Sequence, residues 1–245
     1  MATFNSTIQG SNTGDTLIGT QANQLIVGGT SADSIGSRFS LSCLVGSGGN
    51  DTFFANSVVQ GLGVGSTVTG NEGSDSFDFG TYGLTSAYVF GNTENDTIRL
   101  TGQLLASGVY GGQNEDSIQL RSTVSGSTVL GNSGSDTIDI TAPVLASFIH
   151  GGVANDRISV TGSVSGSTVS GGSGADLLSF ATGVASSQID GGLGTENDTI
   201  QFAVGVTSST ITFADGNDTL AVGGGLTNST VSGGSGADSL GVSLR

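Results

Sequence analysis

The sequence predicts an all-β fold: a right-handed parallel β-solenoid (β-roll/β-helix) of about twelve coils, each 18–24 residues long. Two observations carry this expectation. An octet with Asp at its sixth position recurs along the chain, as in Gly-Asn-Thr-Glu-Asn-Asp-Thr-Ile (91–98), Gly-Asn-Ser-Gly-Ser-Asp-Thr-Ile (131–138) and Gly-Gly-Ser-Gly-Ala-Asp-Leu-Leu (171–178). After each such Asp, apolar and polar residues alternate, the period of a short strand with one buried face. A fixed repeat of this length means coils that bury their apolar faces only by stacking on their neighbours.

The repeat Asp residues are Asp15, Asp33, Asp51, Asp75, Asp96, Asp116, Asp136, Asp156, Asp176, Asp198, Asp218 and Asp238. They run without a linker, so residues 1–245 read as a single domain. Each coil opens on a turn, Gly-x-x-x-x-Asp, interrupted where Leu193 and Phe213 stand in place of the Gly. Gly at its first position suits positive φ or a close backbone approach. The first strand follows, with an apolar residue two positions after the Asp (Ile98, Ile118, Ile138) and usually another four after it (Leu100, Leu120, Ile140). A single apolar residue then marks the far side of the coil, as at Leu104, Val124 and Val144. The second strand is built on Ser-x-Val-x, as at Ser107/Val109 and Ser127/Val129, and its Ser column reads as an internal hydrogen-bonded ladder. Stacked at about 4.8 Å per coil, such a flattened rod would be roughly 50–55 Å long.

Charge narrows the function. The chain has 20 acidic residues against five Arg (Arg38, Arg99, Arg121, Arg157, Arg245) and no Lys, for a formal charge of −15. Nucleic acid and anionic membranes are therefore excluded as partners, and no apolar run is long enough to span a bilayer. One Cys excludes an internal disulfide framework. The N-terminus, Met-Ala-Thr-Phe-Asn, shows neither the basic nor the apolar region of a cleaved signal peptide.

Seventeen of the 20 acidic residues fall in the turns: the twelve repeat Asp with Glu72, Glu94, Glu115, Glu196 and Asp215. Stacking would set like charges about 5 Å apart, at roughly 1 kcal/mol of repulsion per neighbour even in water. Without Lys to balance them, a cation is expected there. Carboxylates and Gly-exposed carbonyls are hard oxygen ligands, and Ca²⁺ accepts irregular oxygen cages better than Mg²⁺. Cys43 and His150 are the sole soft or nitrogen ligands, which argues against Zn²⁺. The other reading of the same residues is that Asp and Asn only cap tight turns.

Gly-Gly-Thr-Ser-Ala-Asp-Ser-Ile (28–35), Gly-Ser-Gly-Gly-Asn-Asp-Thr-Phe (46–53) and Gly-Gly-Ser-Gly-Ala-Asp-Ser-Leu (233–240) resemble the Gly-Gly-x-Gly-x-Asp-x-apolar-x nonapeptide of the repeats-in-toxin (RTX) calcium-binding β-roll family. The resemblance implies calcium-dependent folding, the twelve repeat Asp as metal ligands, and secreted or surface proteins exported without a cleaved signal peptide. That family carries the nonapeptide on both turns of an 18-residue coil. Here most coils have about 20 residues and one acidic turn, so one row of ions is implied. Two turns, 111–116 and 151–156, depart furthest from the motif.

No catalytic set emerges. Carboxylate pairs occur in every turn equally, one His cannot supply a triad, and no dedicated pocket loop is visible; the chain reads as no enzyme. Outward positions of the second strand hold Tyr88, Phe90, Tyr110, Leu130 and Phe148 in neighbouring coils, a candidate lateral protein contact. Elsewhere on that face Thr67/Thr69, Thr168/Ser170, Thr210/Thr212 and Thr230/Ser232 form a partial Thr-x-Thr array like that of ice-binding solenoids. Ser6 already lies in a second strand, and the last repeat Asp is close to Arg245, so head-to-tail stacking of copies of this chain is expected. The function expected is that of a secreted calcium-binding structural protein: a self-assembling filament, biofilm matrix fibre or surface layer (S-layer). The alternatives are a phage or virion appendage fibre, an ice-binding solenoid, and the calcium module of a larger secreted protein.

Overall fold

The computed structural model describes residues 4–37, 42–55 and 64–243, so Met1, Arg38 and Arg245 lie outside it. All strands pair in parallel, and no helix occurs among the described residues. Among the described residues, sheet I has twelve strands, from Ser6–Gln9 to Thr230–Ser232; sheet II has twelve, from Thr16–Gly19 to Ser239–Val242; sheet III has eight, from Leu84–Thr85 to Leu226–Thr227. Within each coil the acidic turn joins sheet I to sheet II.

The apolar positions read from the repeat meet inside. Ile98, Ile118, Ile138 and Ile158 stack in register in sheet II. Val89, Val109, Val129 and Ile149 stack in sheet I. Each is fully buried, worth about 1.5–3 kcal/mol of transfer free energy. Phe53 lies parallel on Phe77 with centroids 4.7 Å apart, and Phe180 on Phe202 at 4.9 Å.

Sheet III is a feature the repeat did not announce as a strand. Leu104, Val124, Val144 and Val164 are buried, and each forms a two-residue strand with its successor, paired to the next coil. The side read as a turn is therefore a third wall. Each of its strands is followed by an exposed residue at positive φ, such as Ala106 (46°), Gly126 (57°) or Ala146 (46°), which turns the chain back into sheet I. The 18-residue spacing at the start of the chain leaves no room for that wall. In its place Gln24 Oε1 accepts the N–H groups of Thr20 (2.7 Å) and Gln21 (2.9 Å), while its Nε2 donates to Ser6 Oγ (2.7 Å).

The Ser column is an internal ladder. The N–H of Ser107, Ser127 and Ser147 donates to the hydroxyl of Ser127, Ser147 and Ser167 at 3.1 Å. Each hydroxyl in turn donates to the carbonyl two residues earlier in its own coil, as Ser147 does to Leu145 at 2.7 Å. Cys43 sits half-buried on the outward face of sheet I, paired with Thr67, and remains a free thiol.

Candidate metal centre: the aspartate ladder of the turns

The repeat Asp ends its turn immediately before sheet II, and burial there converts a surface residue type into an interior one. Asp33, Asp51, Asp75, Asp96, Asp116, Asp136, Asp156, Asp176, Asp198 and Asp218 are buried; Asp15 is half-buried and Asp238 exposed. Coil by coil, Oδ1 accepts the backbone N–H of the Asp before it: Asp116 from Asp96 at 2.8 Å, Asp136 from Asp116 at 2.7 Å, Asp156 from Asp136 at 2.7 Å. The capping reading is thus half right, because one oxygen of each carboxylate closes the preceding turn.

The other oxygen has no such role. Oδ2 of Asp51, Asp75, Asp96, Asp116, Asp136, Asp156, Asp176 and Asp218 is buried without a hydrogen-bond partner. In the first turns the backbone supplies one: Asp15 Oδ2 accepts Ser11 N–H at 2.6 Å, and Asp33 Oδ2 accepts Gly29 N–H at 2.6 Å. From Asp51 through Asp176 the residue at that place (Ser47, Asn71, Asn92, Gly112, Asn132, Gly152, Gly172) has positive φ and extends the sheet I strand into the turn. Its amide belongs to the sheet, and the carboxylate loses a donor.

The glycine opening each turn explains where Oδ2 points. A Cβ on Gly91 would fall onto Asp96 Oδ2 and onto the carbonyl oxygen of Gly111 in the next coil. The same pair recurs as Asp116 with Gly131 about Gly111, and as Asp136 with Gly151 about Gly131. These glycines are required for close approach; positive φ is needed elsewhere in the turn. From Asp51 to Asp176, each coil therefore brings a carboxylate oxygen and a backbone carbonyl oxygen to one point, with no donor between them.

Two acceptors face to face in a buried site require a proton or a cation. Burial raises the carboxyl pKa, reinforced by neighbouring carboxylates and opposed by the N–H bond to Oδ1. Asp96 and Asp156 rise to about 8. Asp75, Asp116 and Asp176 rise to about 7. Asp51, Asp136 and Asp198 reach about 6. In contrast, the backbone and hydroxyl bonds from Ser11 lower that of Asp15.

The donor set fits a hard cation. It consists of a carboxylate oxygen and carbonyls from adjacent coils, with Glu72, Glu94, Glu115 and Glu196 exposed on the same turns. Among the described residues, no three acidic, His or Cys side chains converge on one point. Any ion held here would accordingly take most of its ligands from the backbone. The two turns furthest from the motif keep its shape: Asn114 (φ 75°) and Ala154 (φ 86°), like Glu94 (φ 74°) in the turn 91–96, adopt the left-handed conformation that Gly134 and Gly174 adopt in other turns.

A second ladder was not foreseen. Asn50, Asn155, Asn197 and Asn217, each just before a repeat Asp, accept through Oδ1 the N–H of Ser74, Ala175, Asn217 and Ala237 in the following coil, at 2.6–3.0 Å. Recurring Asn-Asp pairs were the available signal. The remaining acids lie outside the turns. Asp78 pairs with Arg99 at 3.1 Å and Asp139 with Arg121 at 2.7 Å on sheet II; Asp190 accepts the Thr212 hydroxyl at 2.9 Å on sheet I.

No family model and no curated protein matches the sequence. Among solved structures, the chain is similar to a hyperactive, Ca²⁺-dependent, β-helical antifreeze protein from an Antarctic bacterium: TM-score 0.62, 18% identity, covering 97% of this chain and 83% of that one. The fold is accordingly a parallel β-solenoid, of a kind also found in a calcium-dependent protein.

Proposed function

We propose that the chain is a calcium-stabilised structural solenoid of the cell exterior, a non-catalytic rod whose single row of turns takes up Ca²⁺. One observation carries this reading: in coil after coil, an unpartnered Asp Oδ2 faces a glycine carbonyl of the next coil. The residues that would hold the ions are the buried repeat Asp and the carbonyls of the glycines opening the turns. A bound cation would supply the positive charge that the carboxylates lack. The calcium dependence of the antifreeze β-helix supports the same reading. Calcium outside cells is abundant enough to fill weak sites that stay empty in the cytosol, so folding can wait for export. The unbroken parallel register of both long sheets supports head-to-tail addition of further copies into a filament, fibre or surface layer.

Calorimetric and circular-dichroism titration with calcium tests the core of this. Several ions per chain and a gain of β-structure or stability are expected. Full order in excess EDTA with no calcium uptake would overturn it. Electron microscopy with calcium and after chelation tests the assembly.

A second reading, ice binding, is favoured by a specific feature. Thr16, Ser34, Thr52, Ser76, Thr97, Ser117 and Thr137 form an outward hydroxyl column in register on sheet II, until Arg157 interrupts it. Thermal hysteresis in the calcium-loaded protein tests it, and Thr97→Leu with Thr137→Leu should abolish any activity seen.

A further inference from the structure

We propose that the outward face of sheet I is a self-association surface, on which a second copy of the chain packs face to face with the two solenoids running in parallel. The face is distinctive for what it lacks. From the strand Gln24–Val27 to the strand Phe148–Val153, its two outward columns hold no Asp, Glu, Arg or Lys, in a chain of formal charge −15. Its centre is apolar and aromatic: Tyr88 is 46% exposed and Phe148 39%, with Phe90, Tyr110 and Leu130 between them. The neighbouring Gly108 keeps it level. The Tyr110 ring folds over that glycine, its Cε2 2.5 Å and its hydroxyl 2.8 Å from where a Cβ would stand.

Ring geometry decides between occupants. Phe90 and Tyr110 lie face to face, centroids 4.8 Å apart and planes within 11°, and Tyr88 is parallel to Phe90 within 13°. Phe90 and Tyr110 therefore cover one face of each other, and Thr69 and Leu130 stand in register beside their other faces, which leaves the ring edges outward. A sugar ring stacks on an exposed aromatic face, which these two do not offer; aromatic edges interdigitate with other side chains. An anionic lipid surface has no basic residue here to meet it.

Charge also selects the partner and its orientation. Two copies of a strongly acidic chain approach best through surfaces free of charge. Sheet II carries Asp78, Arg99, Arg121, Asp139 and Arg157 outward. Sheet III is uncharged but its two-residue strands offer one outward side chain per coil. That leaves sheet I, whose acidic turns line one long edge only. A two-fold axis parallel to the solenoid places the two acidic edges on opposite sides of the interface. A perpendicular in-plane axis would bring them together within screening distance, about 8–10 Å. Parallel packing is therefore favoured.

Seven strands at about 4.8 Å, and a width of about four residues, give a footprint of roughly 450 Å² per copy, or about 900 Å² in all. That is the size of a weak, reversible contact, so dimers should appear at tens of micromolar and above.

Sedimentation velocity across roughly 1–200 μM chain, with calcium present, reads this directly. The wild type should show a reversible, concentration-dependent side-by-side pairing, of single chains or of end-to-end stacks. The double variant Tyr88→Ser with Phe148→Ser, shown folded by circular dichroism, should show that pairing only at a concentration at least tenfold higher. Thr210→Ser, on the same sheet beyond the patch, should match the wild type. A wild type that shows no lateral pairing would overturn the proposal, as would a double variant that associates as the wild type does, the result expected of end-to-end stacking alone. Orientation is read with a single nitroxide label in the background Cys43→Ser, Thr227→Cys. Thr227 lies at least five coils from the patch centre, so an antiparallel pair would separate the labels by at least about 50 Å. A shorter distance supports parallel packing, and a longer one rejects it.

Discussion

Replacing Asp116 by Asn separates what the carboxylate does for folding from what it does for a metal. Asn keeps the oxygen that accepts Asp96 N–H, and its amide places a donor where Oδ2 now faces the Gly131 carbonyl. In calcium-free solution at pH 8 the wild-type carboxyl is ionised although burial has raised its pKa from 3.8 to about 7. At about 1.4 kcal/mol per pKa unit that ionised group costs up to roughly 4 kcal/mol, and local relaxation should bring the realised cost nearer 2 kcal/mol. The variant should therefore be more stable than wild type by about 2 kcal/mol in EDTA. In calcium the order should reverse. Each site filled a hundredfold above its dissociation constant is worth about 2.7 kcal/mol, and the variant forfeits at least one. Urea unfolding followed by circular dichroism, in EDTA and in millimolar calcium, measures both signs. If Asp116→Asn destabilises equally in both conditions, the reasoning is refuted, because the carboxylate would then be needed for packing alone.

Other outcomes follow from the same geometry. Without metal, the carboxyls raised to about 6–8 hold protons in the folded chain that the unfolded chain has released. Metal-free stability should thus be greatest below about pH 4, fall as pH rises to about 8, and level off above it; denaturation midpoints against pH check this, and saturating calcium should oppose the decline. Gly91→Ala should prevent folding of its coils, since its Cβ would meet Asp96 Oδ2 and the Gly111 carbonyl, whereas Gly126→Ala, with open space around the Cβ and φ of 57°, should cost only about 1–2 kcal/mol. Thermal melts of the two variants compare them. Ala154→Gly should stabilise by about 1 kcal/mol by relieving φ of 86°, measured by urea unfolding. Ser147→Ala should cost about 1–3 kcal/mol, because it strands the Ser127 N–H inside the ladder, and should speed hydrogen exchange at that amide.

The sequence displayed the coil but understated its walls. Period-two alternation after each Asp marked sheets I and II, because buried strands at constant spacing leave a repeating trace in Ile98, Ile118 and Ile138. Sheet III left only one apolar residue per coil, and a two-residue strand is too short to show a period. The repeat Asp were legible as a column. Their inward direction was not, because it depends on the opening Gly five residues earlier, whose role is to make room for Oδ2. Gln24 gave no pattern at all, being a single residue that closes the tight connection between Gly19 and its own strand.

The two polar ladders of the turn run in opposite senses: Asp side chains reach back to the coil before, Asn side chains forward to the coil after. Every such bond joins adjacent coils and none reaches further. From Asp96 to Asp176 the spacing is a constant 20 residues, so a duplicated or lost stretch of that length would leave both kinds of bond intact and change only the count. Rod length is then a quantity that tandem duplication in the gene can dial in steps of about 4.8 Å, without redesigning any contact.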